Sequence, residues 1–227
     1  MKRTKLRDRS LPGYSHGEEL FNMISHIVGA GLAVLICAAC IIKSFLRGGA
    51  YEITASFLYG LSMVLLYTMS SLYHGLREGT AKRVFQILDH CTIFLLIAGT
   101  YTPIVLCALR RVSPPLGWTV FGVVWGLSIL GIVFNSIDLK RYSKLAMTLY
   151  ILLGWCIVLT GRQAIRAMGI PCFLYMLGGG ISYTVGALFY AIGGKRAIPI
   201  PYMHAVFHLF VVLGSVLQFL GIFLYIL

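Results

Sequence analysis

Acidic side chains are scarce in this chain: seven Asp and Glu stand against nineteen Lys and Arg in 227 residues. Charge of either sign is rare, at 11% of positions, where a soluble domain carries about a quarter. Interruptions of the apolar runs are equally rare. From Met203 to Leu227 no residue bears a formal charge, a length that exceeds the roughly 20 residues needed to cross a bilayer. With 59% hydrophobic residues and a mean hydropathy of +0.87, these absences exclude a soluble fold and leave a membrane protein.

Other absences narrow the reading further. Only one C-x-x-C occurs, Cys37 and Cys40, and no second pair completes a cysteine zinc site. The six cysteines fall in or beside apolar runs, where free thiols behave as small buried hydrophobes, so no disulfide is expected. The first apolar stretch lacks a clean small-residue cleavage site and is read as an uncleaved span, not a signal peptide. The last run contains no lysine, which excludes a retinal Schiff base there. No repeat or low-complexity tract is present. The net charge of +12 does not mark nucleic-acid binding, because the basic residues sit between apolar runs and not on one surface.

What is present is a basic arm over 1–19 followed by seven apolar segments, at about 20–42, 52–76, 84–109, 116–137, 145–161, 170–192 and 203–226. The expected fold is an all-α membrane protein, with one seven-helix transmembrane domain over 20–227 and the arm solvated beside anionic headgroups. Loop charges set its orientation. The arm carries five Lys and Arg, and the loops after segments 2, 4 and 6 carry three, three and two, thirteen in all; the opposite side has six. The positive-inside rule then predicts a cytoplasmic N-terminus and an external C-terminus, in a multi-pass protein of the plasma membrane. In segment 3, Pro103 predicts a kink whose freed backbone groups neighbouring hydroxyls re-satisfy.

All six histidines (His16, His26, His74, His90, His204 and His208) fall toward the expected cytoplasmic side. His204 and His208 are four apart and so share a helical face. With His74 they offer three imidazoles from two helices at one depth. Three histidines and an open fourth position form a catalytic zinc arrangement, in which the water's pKa drops to about 7. Asp89 is the acidic residue set well within a span; intramembrane carboxylates are functional candidates. It is expected to accept or orient that water's proton, the alternative being a plain pairing with Arg83. Ser70, one turn before His74, holds the water or a substrate carbonyl, or else bonds its own helix backbone. Glu19, Asn22 and His26 share a face of segment 1 and either support the ligands or cap that helix. His90, adjacent to Asp89, points elsewhere.

Glu19-x-x-Asn22-x-x-x-His26, Ser70-x-x-x-His74, Asp89 and His204-x-x-x-His208 together resemble the signature of the progestin and adipoQ receptor family. The runs from Leu88 to Pro103 and from His204 to Ser215 look especially like its bacterial branch, hemolysin III. The resemblance covers essentially the whole chain. It implies seven helices, a cytoplasmic N-terminus, Zn2+ held by His74, His204 and His208, and Asp89 and Ser70 beside the bound water. It also links the chain to lipid-amide hydrolysis, cytolysis and membrane homeostasis. Gln218 departs from the pattern, since many bacterial members carry a histidine there.

Three functions follow as expectations. One is a zinc-dependent hydrolase of a membrane lipid amide or ester, with membrane lipids as partners and no protein partner inferable. A second is a lipid sensor or membrane-homeostasis protein with structural zinc. A pore-forming cytolysin fits less well, because the chain shows no secretion signal and no amphipathic segment held in reserve. Bis-histidine haem is disfavoured by the serine and aspartate beside the histidines.

Overall fold

The computed structural model describes residues 4–193 and 200–227. Seven helices are long and apolar enough to cross a membrane: α1 His16–Arg47, α2 Ala50–Gly75, α3 Thr80–Val112, α4 Pro114–Ile137, α5 Leu139–Leu159, α6 Gly161–Gly193 and α7 Met203–Tyr225. The protein is a multi-pass membrane protein. Each helix packs on the next in sequence, and α7 returns to α1, which closes the ring. α3 also touches α5 and α6 and is the most deeply buried of the seven. Lys195 and Arg196, part of the charge count, lie outside the described residues.

The helix ends follow from local chemistry. Ser15 caps α1: its Oγ accepts from the Glu18 N–H at 3.3 Å, and Glu18 Oε2 accepts from the Ser15 N–H at 2.9 Å. Such a cap contributes about 1 kcal/mol. Because Ser15 and Glu18 do the capping, Glu19 is released for another role. The expected start near 20 thus moves back to His16, since the polar cap lies outside the apolar run. α4 opens on Pro114, whose absent N–H costs nothing in a first turn. α6 extends nine residues ahead of the expected 170, but Gly169 interrupts it at φ 77°. Positive φ suits glycine, and Pro171 follows, so the apolar boundary marks a real break inside a longer element.

Pro103 resolves differently from a simple kink. Helix α3 continues through it and widens directly afterwards into a six-residue π-helix, Ile104–Leu109. The hydroxyl of Thr102 bonds the carbonyl of Ala98 at 2.8 Å and receives the Trp125 indole N–H at 3.1 Å.

Helices in lipid gain nothing from hydrophobicity alone, so close approach and hydrogen bonds hold them together. Where α1 meets α2, a Cβ on Gly29 would come within 2.6 Å of the Tyr67 ring; where α6 meets α7, one on Gly214 would come within 2.7 Å of Tyr183. Both tyrosines then converge on Ser215 of α7, at 2.7 and 2.9 Å. All six cysteines are free. The arm is not simply solvated: Arg9 is buried, its guanidinium donates to the carbonyl of Ile137 at 2.7 Å, and its own carbonyl accepts from Arg83 at 2.9 Å. The Thr4 N–H reaches Asp138 at 3.3 Å. The arm therefore folds back against the bundle, where the Arg9 guanidinium finds a backbone acceptor.

Candidate metal centre

One end of the bundle gathers the start of α1, the end of α2, and the starts of α3 and α7. His74, His204 and His208 meet there, with ligand atoms all within 4.8 Å of one another. The Nε2 atoms of His74 and His204 are 3.2 Å apart, and those of His204 and His208 are 3.0 Å apart. Two metal–nitrogen bonds of about 2.05 Å at a tetrahedral angle would set their donors roughly 3.3 Å apart. The observed spacing is close to that value. His74 and His208 are buried.

The groups behind the rings decide which nitrogens face inward. His74 Nδ1 lies 2.5 Å from Glu19 Oε2, and a carboxylate can only accept, so this nitrogen carries the proton. His208 Nδ1 lies 3.3 Å from the carbonyl of Asn22, which likewise only accepts. Both rings therefore turn a bare Nε2 lone pair toward His204. That ring can donate one proton between two acceptors, and its own Nδ1 is buried without a partner. A cation at the convergence resolves the conflict: it satisfies all three lone pairs at once. The donor set thus fits a metal ion. The carboxylate–histidine pairing is the arrangement that typically orients metal ligands.

Lys82 completes the support. Its ammonium lies 2.7 Å from Glu19 Oε1 and donates to the carbonyl of Leu76 at 3.0 Å. From the sequence it counts only as a topology signal, yet it is buried and balances the Glu19 charge. Tyr14 is a second residue that sequence reasoning misses. Its ring stacks on His204, with centroids 5.1 Å apart and planes at 22°, and lies 5.9 Å from His74. Burial pushes its phenol well above the ordinary range. Ser25 is a third: its hydroxyl donates to the carbonyl of Asn22 at 3.0 Å and lies 3.4 Å from His208 Nδ1. No spacing rule distinguishes these three from ordinary arm and helix residues; only the fold brings them in.

The remaining expected residues divide. His26 lies flat on His208, with centroids 3.6 Å apart and planes at 8°, and its two ring nitrogens are buried without hydrogen bonds, as are both amide atoms of Asn22. Ser70 Oγ is buried and makes no bond, so the backbone alternative is not what it does. Its neighbour Ser71 does take that option, at 2.6 Å from the carbonyl of Tyr67. Asp89 lies outside the three-histidine group; its carboxylate is 3.8 Å from His90 Nδ1, beyond hydrogen-bond distance, and Arg83 is engaged with Arg9 instead. His90 itself turns back to the carbonyl of Gln86 at 2.9 Å. Gln218 packs against Gly179 of α6.

Comparison with known proteins identifies the family. The family model described as "Haemolysin-III related" matches residues 14–219. The chain is 39% identical to "Hemolysin-3" of Bacillus cereus over 210 residues, 92% of each chain. It is 36% identical to "Hemolysin-3 homolog" of Bacillus subtilis (strain 168) over 208 residues, 92% of this chain and 94% of that one. At 23% identity over 217 residues, 93% of this chain and 82% of the other, it matches the human "Monocyte to macrophage differentiation factor".

Proposed function

The chain belongs to the haemolysin-III related family, and from that premise we propose that it is a zinc-dependent hydrolase acting on an amide or ester of a membrane lipid. The observation that carries this reading is the convergence of three imidazole Nε2 atoms, two of them fixed as lone-pair donors by Glu19 and the Asn22 carbonyl. In this reading His74, His204 and His208 hold zinc. The ion, when bound with an open position, supplies a Lewis acid and a water acidified to a pKa of about 7.

The chain's own residues do the rest. The unpartnered Ser70 hydroxyl donates to the carbonyl oxygen of the scissile bond, where negative charge develops. Asp89 takes the proton of the attacking water and returns it to the departing amine or alcohol. Lys82 and Glu19 keep His74 in its ligating tautomer. The positive-inside count supports a cytoplasmic setting for this end of the bundle, and in this reading the substrate belongs to the inner leaflet.

A second reading is favoured by one observation: Asp89 is not among the groups that converge with the three histidines. There zinc ties α2 to α7 in a lipid sensor, with no turnover. The test of the first reading is metal analysis of gently purified protein, followed by turnover of lipid amides and esters with and without chelator. Stoichiometric zinc and chelator-sensitive, zinc-restored turnover are expected. A wild-type protein that carries no metal removes the proposal.

A further inference from the structure

The seam between α1 and α7 joins a tight contact to an open groove. Contact is made at the histidine level, where Ser25 and Asn22 meet His208 and His26 stacks on it. Beside that contact the two helices stand apart around a groove of about 660 Å³, within the usual range for a small-ligand site. Ile24 and Val28 of α1 face Leu209 and Leu213 of α7 across it, all four half exposed. Ser25 and Tyr202 are its polar lining residues.

Its length and lining identify an occupant. Along α1 the groove runs from Gly17 to Val28, eleven residues at 1.5 Å each, or roughly 16 Å. That is about half of a 30 Å hydrocarbon core, the depth of one leaflet. Water has too few polar partners there. An empty space of this size would forfeit the dispersion contacts of its walls. Hydrocarbon is what remains, and it lies alongside.

The rim supports this direction. Tyr202 caps α7 in the left-handed region at φ 61°, rare for a residue with a Cβ. Glu18 Oε1 holds its N–H at 2.8 Å, and Phe21 meets its ring edge-on at 6.4 Å. Strain of this kind collects where a structure needs a side chain in one place, and a tyrosine at the bundle end sits at headgroup level.

We propose that the α1–α7 groove seats one acyl chain of a membrane lipid, of the leaflet that meets the histidine end of the bundle, with Ser25 the side chain between that chain and His208. The chain so seated lies one side chain from His208 on the bilayer side. The identification of this lipid as substrate rests on the hydrolase reading; the seat itself does not.

The experiment uses the full-length protein in vesicles of phosphatidylethanolamine and phosphatidylglycerol that carry a trace of phosphatidylethanolamine with a diazirine-bearing palmitoyl chain. Cross-links are mapped by mass spectrometry. Labelling should concentrate on Ile24, Val28, Leu209 and Leu213, be competed by the unlabelled lipid, and be lost in the Val28→Trp, Leu213→Trp double variant. Both positions face outward, so metal content and melting temperature should hold and report an intact fold. Labelling that is not competed and is spread evenly over the exposed Leu35, Phe45 and Leu152 would overturn the seat. Metal measured on the same samples separates the two readings. A labelled groove in metal-free protein would keep the seat and remove the hydrolase, whereas an unlabelled groove in metal-loaded protein would do the reverse.

Discussion

Glu19 of the first helix and His74 at the end of the second are joined at 2.5 Å, carboxylate oxygen to Nδ1. The contact spans 55 positions of sequence and sets the tautomer of the ring. Glu19→Gln keeps the acceptor but removes the charge that raises ligand basicity. Metal affinity should fall by about 10–100-fold, as measured by competition with a chromogenic chelator. Unchanged affinity would mean that Glu19 serves only Lys82.

Asp89 separates an enzyme from a structural tie. Asp89→Asn retains size and hydrogen bonding while removing the proton acceptor. Zinc content should be preserved and turnover should fall by about 10²–10⁴. Zinc retained with function unchanged would favour the tie between α2 and α7. Zinc lost with activity would make Asp89 a ligand.

Ser70 offers a test in which stability and activity part company. Its hydroxyl is buried and unbonded, so Ser70→Ala removes an unsatisfied group and should leave the melting temperature unchanged or slightly higher. Turnover should fall by about 10²–10³ if the hydroxyl donates to a carbonyl oxygen that gains charge. A marked loss of stability would show that Ser70 is held by the protein itself.

Sidedness follows from the split of thirteen basic residues against six. A reporter fused after Leu227 should be active only outside the cytoplasm. Activity inside would require an even number of crossings or an inverted bundle.

Asp138 ties the arm to the loop between α4 and α5. Its carboxylate accepts from the Arg141 N–H at 3.1 Å and from the Thr4 N–H at 3.3 Å. Burial opposes its charge, but these donors outweigh burial and hold the carboxyl below the usual range. The stabilisation is therefore present above the free value of about 3.9 and lost as pH falls through the lower folded value. Asp138→Ala removes a helix cap that typically contributes about 0.5–2 kcal/mol. Trypsin should then cut at Arg7 and Arg9 faster at neutral pH; an unchanged rate would show that Arg9 alone anchors the arm.

The seven helices were legible in the sequence, because a bilayer-length apolar run has few alternatives: its backbone must bond to itself. Several helices start ahead of their apolar runs, α1 at His16 behind the Ser15 cap and α6 at Gly161 ahead of the Gly169 break, since caps and polar first turns are signals that hydropathy does not register. The three histidines were legible too, from the four-residue spacing of His204 and His208 and their shared depth with His74. The sequence offered Glu19 and Asn22 as supports, but which group meets which ring was decided by tertiary structure. Glu19 and Ser25 come from another helix, Lys82 from the first turn of α3, where its charge reads as topology, and Tyr14 from an arm that reads as solvated. Periodicity orders residues along one helix, whereas which faces meet depends on where small residues such as Gly29 and Gly214 allow backbones to approach. The groove between α1 and α7 is the same rule in reverse: beside the His208 contact the two helices do not pack closely, and only the assembled bundle shows it.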